Sequence, residues 1–262
     1  MQNHPEEPGY SEFPIDPKVK SLLEIPQYEQ RSPEWFAQRN NALTASDLPT
    51  VLSENKYKQP WNLLVEKCDP NGKPFVGNAA TRWGTHYEDI AIEKYSSLRN
   101  KKVLSFGLLI HPQYSWLGGS PDGITTDGIL LEVKCPLTRP IIQGEVPEHY
   151  RSQVLLNLEI CDLEVAHFIE FKPGKSDNDY IINIVEILRD REWFSRKLPV
   201  MKEFWDSVLE YRIKGISSHP KYQHRKRKNS KTDGVTLDLT TPPRPLFVKN
   251  EKKGYYFIDS EI

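Results

Sequence analysis

The chain has 262 residues, 37% of them apolar, and a formal net charge of −1. That length suffices to bury a sizeable core. No apolar run reaches the ~18 residues of a membrane-spanning helix, and the near-zero charge excludes a protein that grips nucleic acid by bulk positive charge alone. Three widely spaced cysteines, Cys68, Cys135 and Cys161, form neither a CxxC pair nor a Cys/His cluster. This argues against structural zinc and a disulfide framework, and for a reducing intracellular compartment, cytoplasm or nucleus.

Residues 1–30 hold five prolines and an excess of acids. They read as a partly disordered lead-in without a secretory signal, with room for a short packed helix over 19–25. The main domain is expected over 31–215. Ser32 suits an N-cap and Pro33 the first helical position, so a short helix should carry Trp35, Phe36 and Arg39. Thr44-Ala45-Ser46-Asp47 looks like a second helix start. Over 80–98, Trp83, Tyr87, Ile90, Ala91, Tyr95 and Leu98 recur at helical spacing.

The period then changes to two. Residues 103–110 predict a strand, 116–119 and 123–125 short strand pieces around a Gly-Gly-Ser-Pro bend, and 129–135 a strand that Pro136 stops. Asp127-Gly128 is a hairpin signal. A helix is expected over 147–160, with Tyr150, Val154 and Leu158 on one face. Two strands follow over 165–171 and 180–187, then a long helix over 189–213, bent near Pro199. From 216 the composition shifts: residues 219–231 carry six Lys/Arg and no acid. This C-terminal basic segment and tail (216–262) reads as a DNA-backbone contact, a nuclear localisation signal or a solvated loop.

The chemistry is concentrated in Gly119-Ser120-Pro121-Asp122-Gly123 and Leu130-Leu131-Glu132-Val133-Lys134-Cys135. Alternation on a strand puts Glu132 and Lys134 on one face and Leu131, Val133 and Cys135 on the other. The bend before Asp122 brings its carboxylate beside Glu132. Two converging carboxylates repel unless a cation lies between them, and oxygen donors suit Mg²⁺ or Mn²⁺. A lysine on the same face orients water or offsets charge at a transition state. Taken singly, Asp122 also reads as a turn aspartate, and Glu-x-Lys as a solvent-facing ion pair.

Five pieces in order carry a more specific resemblance: Arg39 with Leu43-Thr44-Ala45-Ser46; Trp83-Gly84-Thr85-His86-Tyr87-Glu88; Ser120-Pro121-Asp122-Gly123; Glu132-Val133-Lys134-Cys135-Pro136; and Tyr150-Arg151-Ser152-Gln153. Over residues 32–172 the chain resembles the PD-(D/E)xK nucleases, and more narrowly the phage lambda exonuclease family, the YqaJ-type viral recombinase nucleases. The resemblance implies an α/β restriction-endonuclease-like core, with a central mixed sheet flanked by helices.

It also implies roles. Asp122, Glu132 and the backbone carbonyl of Val133 would hold the metal, with Glu88 supporting it from a helix, directly or through water. Lys134 would position or activate the attacking water. Gln153 and Tyr150, three apart on one helix, would line the site with Ser120. Arg39 and Ser46 would hold a terminal 5′-phosphate, which matches the anion affinity of a helix start and the paired hydrogen bonds of arginine to phosphate. Glu88 also reads as a surface glutamate, Ser46 as a plain N-cap (with Thr44 an alternative cap), Tyr150 as core and Gln153 as surface.

The implied activity is 5′-to-3′ digestion of one strand at double-stranded DNA ends to 5′-mononucleotides. It would serve viral-type recombination, repair or genome processing in cytoplasm or host nucleus. A single-strand-annealing partner and a homo-oligomer are part of that expectation; a membrane is not. Rival readings are an endonuclease or DNA/RNA nuclease of the same fold, and a non-catalytic DNA-binding module. The complete acidic pair and lysine weigh against the last.

Overall fold

Side-chain caps set most helix starts in this chain. The computed structural model describes residues 13–69, 78–222, 247–250 and 254–257. In it, Asp16 accepts from the N–H of Lys18 (2.8 Å) and opens α1 (Pro17–Leu23). Ser32 Oγ accepts from the N–H of Trp35 (3.2 Å) and opens α2 (Pro33–Asn40), with proline at the first helical position. Next come β1 (Leu43–Thr44), a 3₁₀ turn (Ala45–Asp47), α3 (Leu48–Val51) and α4 (Pro60–Cys68). The long α5 (Ala79–Arg99) starts where Asn78 accepts from the N–H of Thr81, and ends where Asn100 turns left-handed (φ 50°).

Four short strands follow: β2 (Val103–Leu104), β3 (Leu109–Ile110), β4 (Leu117–Gly119) and β5 (Gly123–Thr125). Then come β6 (Ile129–Lys134), α6 (Glu148–Ile160), β7 (Val165–Pro173), β8 (Tyr180–Leu188) and α7 (Arg191–Lys214). The chain divides into two units, residues 1–216 and 217–262. In the second, β9 (Phe247–Asn250) pairs antiparallel with β10 (Gly254–Phe257). Of the basic run, residues 223–231 lie outside the described residues.

The main sheet has the order β2-β5-β6-β7-β8 and is mixed: β6 and β7 run parallel and the other neighbours antiparallel. Helices cover both faces, as expected. Leu131 and Val133 pack with Ala91 and Tyr95 of α5 and with Ile169 and Phe171 of β7. Leu130, Ala166 and Phe168 pack the other way, with Val154, Leu155 and Leu158 of α6 and Phe194, Met201 and Trp205 of α7. Burying one such side chain contributes about 1.5–3 kcal/mol, so strand register is fixed from both faces and Glu132 is carried to the α6 side with Leu130. A smaller sheet, β1-β4-β3, lies alongside in the chain's topology.

One sequence expectation differs from this. The strand read over 103–110 is two: β2 pairs with β5 in the main sheet and β3 with β4 in the small one. Between them Gly107 passes so close to Tyr28 that a Cβ there would meet the Tyr28 carbonyl oxygen at 2.3 Å. Pro199 lies inside α7, within the single long helix expected there. The short packed helix for which the lead-in had room is α1, which buries Val19 completely, and Asp16 N–H donates to the Thr126 carbonyl (2.7 Å).

Candidate active site

The pleat of β6 delivers Glu132 and Lys134 to one face, and Glu132 is fully buried there. Lys134 Nζ forms an ion pair with Glu132 Oε1. Gln153 Nε2, from α6, donates to the same oxygen (2.5 Å), and Asn157 Nδ2, one turn on, donates to Oε2 (3.2 Å). α6 approaches this closely because residue 119 has no side chain: a Cβ on Gly119 would stand 2.2 Å from Asn157 Oδ1. Asp122 is set by the β5–β6 hairpin. Its N–H donates to the Leu131 carbonyl (3.2 Å), and its Oδ2 accepts from the N–H of Val133 (2.6 Å). Tyr150 offers its ring to Lys134 Nζ at 5.4 Å and to the Arg139 guanidinium at 5.7 Å.

These carboxylates are short of positive charge. Burial pushes the Glu132 carboxyl up to about 7; Lys134 opposes the rise, and Asp122 and Glu88 add to it. Burial, then Asp122, likewise lifts Glu88 to about 7 against the pull of Arg31 and Lys134. Burial raises Asp122 too, against Lys134, the Val133 N–H and Arg31. For Lys134, burial favours the neutral amine, but Glu132 and Asp122 outweigh it and the pKa rises, so lysine keeps its proton. Strong mutual perturbation of acids in a concave place marks functional sites.

The donor set fits a hard divalent cation. Among the described residues, no three His, Cys, Asp or Glu side chains gather closely enough to hold a metal ion unaided. Magnesium is commonly held by one or two carboxylates, with water and substrate phosphate completing its shell. The undercompensated negative charge at Asp122 and Glu132 suits that pattern.

A second cluster adjoins the first. Arg39 donates from NH2 to Ser46 Oγ (2.7 Å), and its guanidinium lies 4.4 Å over the Trp35 ring. Trp35 Nε1 donates to Ser120 Oγ (3.1 Å), two residues before Asp122. Thr44, not Ser46, closes the helix start: its N–H and Oγ1 both donate to Asp47 Oδ2 (3.1 and 2.7 Å). Ser46 is thus exposed and free of capping.

The structure therefore gathers Asp122, Glu132, Lys134, Gln153 and Tyr150, couples Glu88 to them electrostatically, and joins Arg39 and Ser46 to them through Trp35 and Ser120. Sequence reasoning missed Asn157, Trp35 as the connecting side chain, and Arg31 beside Glu88 (3.4 Å). Two of these had a signal: Asn157 is four residues after Gln153, and Trp35 four before Arg39, each a same-face helical spacing. Arg31 had none.

This architecture has close counterparts. Over 76% of this chain and 99% of the other, it superposes on the crystal structure of an alkaline exonuclease, LHK-Exo from Laribacter hongkongensis, with TM-score 0.60 and 25% identity. The fold is that of the restriction-endonuclease-like exonucleases. An uncharacterized protein of Acanthamoeba polyphaga mimivirus is 35% identical over 178 residues, which is 62% of this chain and 32% of that protein. The YqaJ protein of Bacillus subtilis (strain 168) is 27% identical over 227 residues, 82% of this chain and 69% of that one. The chain thus spans about a third of the mimivirus relative's length. The model of the YqaJ-like viral recombinase domain matches residues 34–164, half of the chain and all of the catalytic-type cluster, and the chain belongs to that family.

Proposed function

We propose that the protein is a metal-dependent DNA exonuclease that digests one strand of a duplex from its 5′ end. The observation that carries this reading is the bridge Arg39–Trp35–Ser120, which ties Arg39 and its partner Ser46 to the loop just before Asp122. An acidic centre alone suits any nuclease of this fold. An arginine and an exposed hydroxyl held next to it suit a strand end, where a terminal phosphate offers extra charge. Resemblance to an alkaline exonuclease and membership of a viral recombinase family support the nuclease part of this reading.

In this mechanism Arg39 and Ser46 hold the 5′-phosphate, so that the first phosphodiester lies over Asp122 and Glu132. Those two carboxylates and the Val133 carbonyl would hold Mg²⁺ (or Mn²⁺), with Glu88 assisting from α5. When bound, the cation polarises the phosphoryl group and lowers the pKa of water. Lys134, kept charged by its acidic neighbours, orients the attacking water and offsets charge developing on phosphorus. Gln153 fixes the Glu132 carboxylate, and Tyr150 keeps Lys134 in place through its ring. Ser120 ties the pocket to the hairpin. Recombination, repair or genome processing inside the cell is the setting, and a single-strand-annealing protein a fitting partner.

The deciding experiment offers linear duplexes with and without a 5′-phosphate, one strand labelled, in Mg²⁺. Mononucleotides should appear from the 5′-phosphorylated strand first. Cutting of relaxed circular DNA at a comparable rate would replace this reading with an endonuclease.

A further inference from the structure

A cleft of about 640 Å³ opens beside Asp122. Leu23, Ile25 and residues 27–31 form one wall of its lining, and Glu88, Asp89 and Ile92 of α5 another part. Arg31 sits in the first wall with φ 71°, a left-handed backbone that L side chains rarely adopt. Its neighbours impose that conformation. Gln30 Nε2 donates to the carbonyls of Phe106 (2.7 Å) and Pro121 (3.3 Å), and Ser32 N–H donates to the Glu29 carbonyl (3.1 Å). The half-exposed guanidinium meets Glu88 through one nitrogen at 3.4 Å. So loose and wet an ion pair adds little stability, and does not by itself explain a residue held in a strained conformation at the mouth of a reactive site.

The charge count gives a reason. In fully ionised form, Glu88, Asp89, Asp122 and Glu132 face three cations, Arg31, Arg39 and Lys134, leaving one net negative charge. One divalent cation turns that into one net positive charge, which a single phosphodiester neutralises. Without Arg31 the loaded site would be neutral and would offer the phosphate no net attraction. Arginine also presents a planar fork that matches two phosphate oxygens at once, and only part of that fork is engaged by Glu88.

We propose that Arg31 is a substrate-binding residue that exchanges its loose contact with Glu88 for a backbone phosphate of the DNA strand entering the cleft. This rests on the nuclease reading above. It adds a phosphate contact distinct from the Arg39–Ser46 pocket, in a cleft lined by Arg31 and Asp122 but not by Arg39 or Ser46.

The test measures binding of a 5′-phosphorylated linear duplex to wild type, Arg31→Ala and Arg31→Lys across a range of salt. Ca²⁺ replaces Mg²⁺, and the duplex is checked for intactness afterwards. Arg31→Ala should weaken binding and reduce the slope of log affinity against log salt by about 0.9, the loss of one phosphate contact on B-form DNA. Arg31→Lys should restore the slope but only part of the affinity. Mn²⁺ titrated without DNA should bind Arg31→Ala at least as tightly as wild type, because a competing cation has gone. An unchanged salt slope in Arg31→Ala, whether with normal or lowered thermal stability, would make Arg31 structural and overturn the proposal. If wild type neither bound nor cut the duplex, the nuclease reading would fall, and this proposal with it.

Discussion

Asp47, mostly enclosed, and Glu132, fully buried, are carboxylates of one fold, each paired with a lysine, and their surroundings drive them in opposite directions. Around Asp47, Lys67 Nζ lies 2.8 Å from Oδ2 and also donates to the carbonyls of Arg39 and Ala42 (2.9 Å each). All three ammonium protons thus have acceptors. Burial would raise the Asp47 carboxyl, but Lys67, Thr44 and Arg39 together outweigh it and hold the group below the usual range. Glu132 has one lysine and two amides but faces Asp122 and Glu88, and ends at about 7. Asp47 sits in a closed, compensated network that fastens α2 to α4. Glu132 belongs to an open one that lacks a cation. A buried ion pair alone therefore says little about function; the balance of charge around it says more.

If that contrast is right, neutralising the two carboxylates should have different consequences. Glu132→Gln or Asp122→Asn should abolish cleavage while the protein stays folded, read by nuclease assay and circular dichroism at saturating Mg²⁺. Near-normal activity in either folded variant would remove it from the metal site. Asp47→Asn should instead cost stability, about 3–5 kcal/mol for stranding a buried lysine, measured by urea unfolding. A loss under about 1 kcal/mol would mean that Lys67 is satisfied by its carbonyls alone.

Lys134→Ala tests the open network from its cationic side. Its rate should fall by a factor on the order of 10², the scale of a lost transition-state donor, with Mn²⁺ binding retained. Loss of metal binding would give Lys134 a structural role. Arg39→Ala should slow digestion of 5′-phosphorylated ends more than 5′-hydroxyl ends, by roughly 10-fold if a charged hydrogen bond of about 1.5 kcal/mol is lost. Equal slowing on both ends would show that Arg39 does not read the phosphate.

The smallest effect concerns pH. Glu88 and Glu132 titrate near 7 in the folded metal-free protein, against an ordinary value of 4.5. Between those values the folded state holds protons that the unfolded state has released. Their contribution to stability is therefore full below 4.5 and is lost as pH rises through 7. Asp47 runs the other way: its contribution is present above its ordinary 3.8 and is lost as pH falls through its lower folded value. Melting temperatures in EDTA should decline between about pH 5 and 8, and Glu132→Gln should flatten the decline. A variant as steep as wild type would break the assignment.

What the sequence made legible follows from local periodicity. Two-residue alternation put Glu132 and Lys134 on one face, and a single hairpin brought Asp122 to them, so that cluster could be read from one short stretch. The helices over 79–99 and 148–160 announced themselves by spacing. What stayed hidden depends on long-range polar contacts, which leave no period. Lys67 meets Asp47 from α4, Trp35 reaches Ser120 across 85 positions, and Arg31 meets Glu88 across 57. The split of the strand read over 103–110 was hidden for a related reason. An apolar run shows that a segment is buried, not that its two ends belong to different sheets.

One consequence concerns where the chain can be cut. The stretch matched by the family begins at residue 34, which invites trimming there for expression. Yet Gln27 Oε1 accepts from the N–H of Gly107 (2.7 Å), Gln30 supports the Pro121 carbonyl, and Val19 is completely buried. A fragment starting at residue 34 would lose the cap of α2, one side of the cleft and the prop behind the Asp122 hairpin in a single step. Similarity and mechanics thus draw the N-terminal border in different places. Any fragment must keep the chain from Asp16 onward to retain these contacts.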